Sequence, residues 1–233
     1  MTKQLLTIVA VFLLIGFQCT PHSEEKKTNS SRPFEEAKVY FEQNETDGDA
    51  EVVFVATAGD NGMTKLLVVA PGGHTVIDFE APDPSTMGIR SFQLESPEPE
   101  DIAAVQKAYP AGVYMFSGTT TDGKEYLSEA TLNHALPASV TIQNPANETE
   151  DVSIKGLEIT WSAVAGVEAY LIEVEQEDSD VKIEATLPSS ETSFSVPEKF
   201  LVADAVYKIV VGSVSKDGNL NFVETTFTTA KED

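Results

Sequence analysis

Few side chains in this chain of 233 residues have the type and spacing that chemistry requires. The three histidines, His22, His74 and His134, show no i, i+4 spacing and have no cysteine beside them, so no zinc-ligand pattern is present. The stretch "ETDGDAE" offers carboxylate oxygens from Asp47, Asp49 and Glu51, the ligand type calcium prefers. Its glycine, however, directly follows Asp47 instead of standing sixth in the loop, so the calcium-loop pattern fails. Weak Ca2+ binding is the most it suggests, there and in "EQEDSD" from Glu175 to Asp180, and a solvated turn is the plainer reading of both. Nucleophile elbows, phosphate-cradling loops and histidines paired with a nucleophile are absent, and with 38 Asp and Glu no carboxylate pair stands out as acid and base. No catalytic, cofactor-binding or metal residue is assigned, and a protein that is not an enzyme is expected. Trp161, the only tryptophan, and Tyr170 form the remaining candidate pair, with the stacking faces that a sugar-binding platform uses.

Charge narrows the partners. A formal net charge of −23 repels phosphate backbones, so nucleic-acid binding is not expected, while cations and basic partners are attracted. With 41% hydrophobic residues the chain has material for real cores.

From Ala37 onward the apolar period is two, the signature of half-buried strands. "EVVFVATAG" and "KLLVVAPGGHTVIDFE" are β-rich, with Pro71-Gly72-Gly73 placed as a hairpin turn. "EDIAAVQKAY" is the one helical stretch, short enough to be a crossover between sheets. Tyr114 and Phe116 share a face, Asp122-Gly123 turns the chain, and Tyr126 to Leu132 returns. Further on, Leu157, Ile159 and Trp161 alternate on one strand and Tyr170, Ile172 and Val174 on the next. That register places both aromatics on an inward face, so a core role is expected for them.

These patterns carry two resemblances. Residues from about Ala37 to Leu136 resemble a bacterial immunoglobulin-like sandwich, through the helical crossover, the Pro-x-Gly-x-Tyr sequence before Tyr114 and the closing hairpin. Residues from about Ser139 to Thr229 resemble the fibronectin type III module, through Trp161, Tyr170, and Leu201 six residues before Tyr207. The implied fold class is all-β, two tandem sandwiches covering residues 37–137 and 138–233.

The start of the chain has a different character. Lys3, an apolar run from Leu5 to Phe17 and a sharp change to "TPHSEEKKTNSSRP" read as a secretory leader, too short for the ~20 apolar residues of a spanning helix. Cys19, the only cysteine, sits at that junction. The arrangement resembles a bacterial lipoprotein signal over residues 1–18, which implies Cys19 as the lipid-attachment residue and a membrane anchor. The family has a small residue before the cysteine and this chain has Gln18, so ordinary secretion and an uncleaved anchor stay open. Residues 19–36 are too polar to repay ordering and are expected to form a flexible tether. Thr20 after the cysteine favours the outer membrane by the same resemblance, with a periplasmic or secreted protein as the alternative. In that setting the N-x-[ST] sequons at Asn29, Asn44 and Asn147 are chance matches. The expectation is a non-catalytic envelope lipoprotein that binds or positions another envelope protein. The alternative is a surface module that binds carbohydrate or depends on a cation.

Overall fold

The computed structural model describes residues 31–81, 83, 87–179 and 181–231. Strands β1 (Glu36–Asn44), β2 (Asp49–Thr57), β3 (Met63–Val69), β4 (Thr75–Glu80) and β5 (Ser91–Glu95) precede helix α1 (Ile102–Ala108), which leads to β6 (Gly112–Thr120) and β7 (Glu125–Leu132). Then follow β8 (Ile142–Asn144), β9 (Thr149–Val152), β10 (Glu158–Trp161), β11 (Ala169–Gln176), β12 (Lys182–Pro188), β13 (Ser193–Ser195), β14 (Val206–Val214) and β15 (Leu220–Thr229). The class is all-β, as the period of two requires.

Two hydrophobic cores form. One gathers buried residues from Phe34 to Leu132, the other from Val140 to Phe227. Around the first, β1-β2-β5 face β4-β3-β6-β7; around the second, β8-β10-β13 face β12-β11-β14-β15. Leaving aside the short β9, which pairs with β15, both units use one connection order: first, second and fifth strands in one sheet, fourth, third, sixth and seventh in the other. The first half, expected as a general immunoglobulin-like sandwich, thus repeats the strand order of the second. Helix α1 carries the chain from β5 in one sheet to β6 in the other, and Asp101 caps it by accepting the Ala104 N–H at 3.2 Å.

Two tyrosines hold the corners that the alternating pattern cannot. Tyr207 accepts the Val202 N–H at 2.9 Å and donates to the Phe200 carbonyl at 3.2 Å, locking the turn into β14. Tyr114 donates to the Pro110 carbonyl at 3.1 Å at the matching place before β6.

The tether expected over residues 19–36 is corrected at its end. The Arg32 N–H donates to the Glu125 carbonyl and the Leu127 N–H to the Arg32 carbonyl, both bonds below 3.0 Å, while the Phe34 N–H donates to Ser128 Oγ at 3.0 Å. Phe34 is buried against Tyr126 and Phe116, over Gly118, where a Cβ would come within 2.9 Å of its ring. One large ring supplies enough apolar burial to order a segment that is otherwise polar.

The feature with most consequence is a seam. β1 pairs in parallel with β15, Glu42 opposite Leu220 and Asn44 opposite Phe222, so half of each sandwich joins one continuous sheet, β12-β11-β14-β15-β1-β2-β5. Asn219, 1% exposed, staples the seam. Its Oδ1 accepts the Phe41 N–H at 2.9 Å, and its Nδ2 donates to Asn133 Oδ1 at 2.9 Å and to the Ala135 carbonyl at 3.0 Å. Asn221 Nδ2 donates to the Pro137 carbonyl at 3.0 Å and Ser213 Oγ to the Ala138 carbonyl at 2.6 Å. The connection between the units is therefore held along its length.

Candidate functional site

Most residues with chemical promise in the sequence turn out to be structural. Trp161 and Tyr170 lie inside the second core, 2% and 0% exposed, their rings edge to face at 5.7 Å. Tyr170 Oη accepts the Val164 N–H at 2.7 Å, while the Trp161 indole N–H has no acceptor among the described residues. Neither ring offers a face to a sugar. His74 lies in the turn between β3 and β4; His134 contacts the Tyr109 carbonyl through Nε2 at 2.9 Å and packs edge-on against Phe41. Asp47 is engaged by Asn44 Nδ2 at 3.0 Å in the β1–β2 turn, and Glu51 lies within β2. Glu175 and Gln176 end β11, and Ser179 Oγ donates to Gln176 Oε1 at 3.3 Å in the turn that follows. Among the described residues no three His, Cys, Asp or Glu side chains are arranged to hold a metal ion. Sequon residue Asn44 is buried and Asn147 Oδ1 accepts from Thr225 Oγ1 at 2.8 Å, so both amides serve the fold. Cys19, His22, Asn29 and Asp180 lie outside the described residues.

The structure assembles a different constellation on the outer side of the continuous sheet. The turn through Asp47-Gly48 sets β1 against β2 so that Glu42 faces Glu51, and β5 pairs with the other edge of β2 so that Val53 faces Glu95. Glu51 is 7% exposed and hydrogen-bonds Glu98. Burial, with Glu95 and Glu98 adding repulsion, pushes the Glu42 carboxyl from 4.5 up to about 7. Burial, then Glu42, Glu98 and Glu95, pushes Glu51 up to about 8. The Tyr40 hydroxyl is raised as well, first by burial and then by Glu42, Glu51 and Glu95. Among the described residues none of Glu42, Glu51, Glu95 and Glu98 has a lysine or arginine within 4.0 Å.

On the other side of the seam the charges are paired. Lys182 Nζ lies 2.7 Å from Glu173 and 3.7 Å from Glu184, and Lys208 Nζ 3.6 Å from Glu175 and 3.7 Å from Glu224. Between the two halves runs an open groove of about 370 Å³, floored by Tyr40, Leu171, Val210, Leu220 and Phe222. Gly212 permits this floor, since a Cβ there would meet Leu220 Cδ1 at 2.5 Å and Phe222 Cβ at 3.3 Å. Sequence reasoning missed the Glu42–Glu51 pair, although a hairpin centred on "ETDG" would have aligned them.

No protein-family model and no curated protein matches this chain. Solved structures similar to it include fibronectin type III modules. A two-domain segment of chicken tenascin shares 13% identity over 83% of this chain and 98% of that one, with a TM-score of 0.32. Fibronectin(III)-like modules of Clostridium thermocellum CbhA share 10% over 88% of this chain and 93% of theirs, at 0.33. The fn3 domain of human collagen alpha-1(XX) shares 16% over 43% of this chain and 90% of that domain, at 0.32. Likeness of this degree carries no argument by itself; the all-β sandwich class rests on the two cores and the strand order.

Proposed function

We propose that this chain is a non-catalytic lipoprotein of the bacterial cell envelope, anchored through Cys19, whose two sandwich units bind or position another envelope protein. The observation that carries the binding role is the continuous sheet across the seam. It makes two small units one platform, and it leaves an outer face with an apolar floor beside carboxylates that have no basic partner among the described residues. An apolar patch with a polar rim is the ordinary make-up of a protein-recognition surface. Anchoring follows from the leader, its apolar run and Cys19.

Two measurements test the two halves of this reading. Cys19→Ser should move the protein from the membrane fraction to the soluble one and abolish incorporation of labelled fatty acid; unchanged fractionation removes the anchor. Photo-crosslinking from residues spread over all faces of the units, in intact cells, should give a discrete adduct with one envelope protein. Absence of any adduct from every face removes the binding role.

A further inference from the structure

We infer that the groove across the β1–β15 seam receives a short, extended, cationic segment of the partner protein, with apolar side chains on its floor and lysine or arginine side chains among the carboxylates of β1, β2 and β5. The inference rests on the binding role proposed above and names the surface and the chemistry of its occupant.

Three observations converge on it. First, the floor is apolar and only partly covered: Leu171 and Phe222 are half-buried on the outer face, in contrast to the fully buried ring of Phe227 on the inner face of β15. Second, the charges are lopsided. The cations bordering the groove are on β12 and β14, already engaged with Glu173, Glu184, Glu175 and Glu224. The half built from β1, β2 and β5 lines the groove with Glu42 and Glu95, with Glu51 and Glu98 beside them; its one lysine on this face, Lys38 of β1, lies outside the groove lining and is engaged by Glu36 at 2.6 Å. Carboxylates crowded in this way, at a cost to their own ionisation, are what a cationic side chain relieves. Third, the spacing suits an extended chain. From β11 to β5 the continuous sheet steps through five strand spacings, roughly 24 Å, which an extended segment spans with about seven residues.

Ionisation supplies a signature. Glu42, held at about 7, is faced by Tyr40, Glu51, Glu95 and Glu98 on its own half, and Lys208, Glu173, Glu184 and Glu224 line the far half of the groove. A bound ammonium or guanidinium group stabilises the carboxylate form, so binding near pH 7 releases protons and tightens as pH rises from 6 to 8.

The test uses the purified full chain and two labelled peptides, Lys-Val-Lys-Val-Lys-Val-Lys and Glu-Val-Glu-Val-Glu-Val-Glu, at physiological salt. Because a chain of net charge −23 attracts any polycation, the comparison is between two triple variants that each replace three carboxyl groups; with Glu42 half-protonated near pH 7 the groove variant is the smaller charge change, so a larger loss there is not an effect of net charge. Glu42→Gln with Glu95→Gln and Glu224→Gln removes three of the five carboxyl groups that line the groove; Glu129→Gln with Glu150→Gln and Glu191→Gln removes three at remote, exposed positions. The groove variant should weaken the lysine peptide at least tenfold and abolish proton release, seen as a binding enthalpy independent of buffer ionisation; the remote variant should change affinity less than twofold. Leu171→Ser, which alters the floor without altering charge, should also weaken binding several-fold. Equal loss in both triple variants, or no saturable binding of the lysine peptide, overturns the inference. In that event crosslinking to an envelope protein from another face would leave the binding role intact, whereas loss of both would remove the role itself.

Discussion

Glu51→Gln should make this protein more stable above neutral pH and leave it unchanged in mild acid. Glu51 is 7% exposed, faces Glu42 across the β1–β2 pair and hydrogen-bonds Glu98. In the folded chain it holds its proton up to about 8, against 4.5 ordinarily, and Glu42 does so up to about 7. The folded state therefore binds more protons than the unfolded state between about 4.5 and 8, and stability falls as pH rises through that window. At about 1.4 kcal/mol per unit of displacement, Glu51 alone sets a ceiling of roughly 4 to 5 kcal/mol. Glu42 and Glu51 titrate as a pair, so their mutual repulsion must not be counted for each, and solvent at the sheet face screens part of it. About 2 kcal/mol is the expectation for the single variant. Glutamine keeps a donor for Glu98 and removes the charge. In thermal melts at pH 4, below the window, the two proteins should agree within about 0.5 kcal/mol. At pH 8.5 the variant should melt higher by roughly 4–8 °C, taking 2–4 °C per kcal/mol for a chain of this size. Taking the difference between the two proteins cancels the general repulsion of an acidic chain. Equal melting temperatures at pH 8.5, or a gap of one size at both pH values, would refute the reasoning.

Other perturbations separate the seam from the cores. Asn219→Ala leaves the Phe41 N–H and the Asn133 and Ala135 carbonyls of the seam without their partner. At about 1 kcal/mol or more for each group left unmade, the loss should reach about 3 kcal/mol and split one calorimetric transition into two; a single unshifted transition would show that Asn219 does not couple the units. Tyr207→Phe removes the bonds to Val202 and Phe200 and should cost about 1–2 kcal/mol in urea denaturation, with the slope unchanged. Phe34→Ala should cost about 3 kcal/mol and expose the 32–36 segment to hydrogen exchange, whereas a surface residue of a slack tether would change neither. Trp161 should emit as a buried indole and resist quenching by acrylamide, in keeping with its 2% exposure.

What the residues determined by themselves was local and periodic. Alternation placed Tyr170, Ile172 and Val174 on an inward face because side chains of a strand point to opposite sides in turn. Asp122-Gly123 and Pro71-Gly72-Gly73 marked turns because glycine takes a positive φ without steric cost, as Gly123 at 72° and Gly73 at 82° do. The Tyr207 hydroxyl and the Asp101 cap act on backbone within seven residues of themselves, so their work is local too. Phe34 was hidden by its polar neighbours, since composition averages over a window and one ring buries by itself. The seam was left to the tertiary structure for a deeper reason. Strand pairing between β1 and β15 uses backbone groups that every residue has, so no side-chain pattern announces it. Its specific staples join residues far apart in the chain, Asn219 to Phe41 by 178 and Asn221 to Glu45 by 176. The carboxylates that crowd Glu42 are gathered within the first unit by the pairing of β1, β2 and β5, but the groove beside them exists only once the seam has brought the two units onto a single sheet.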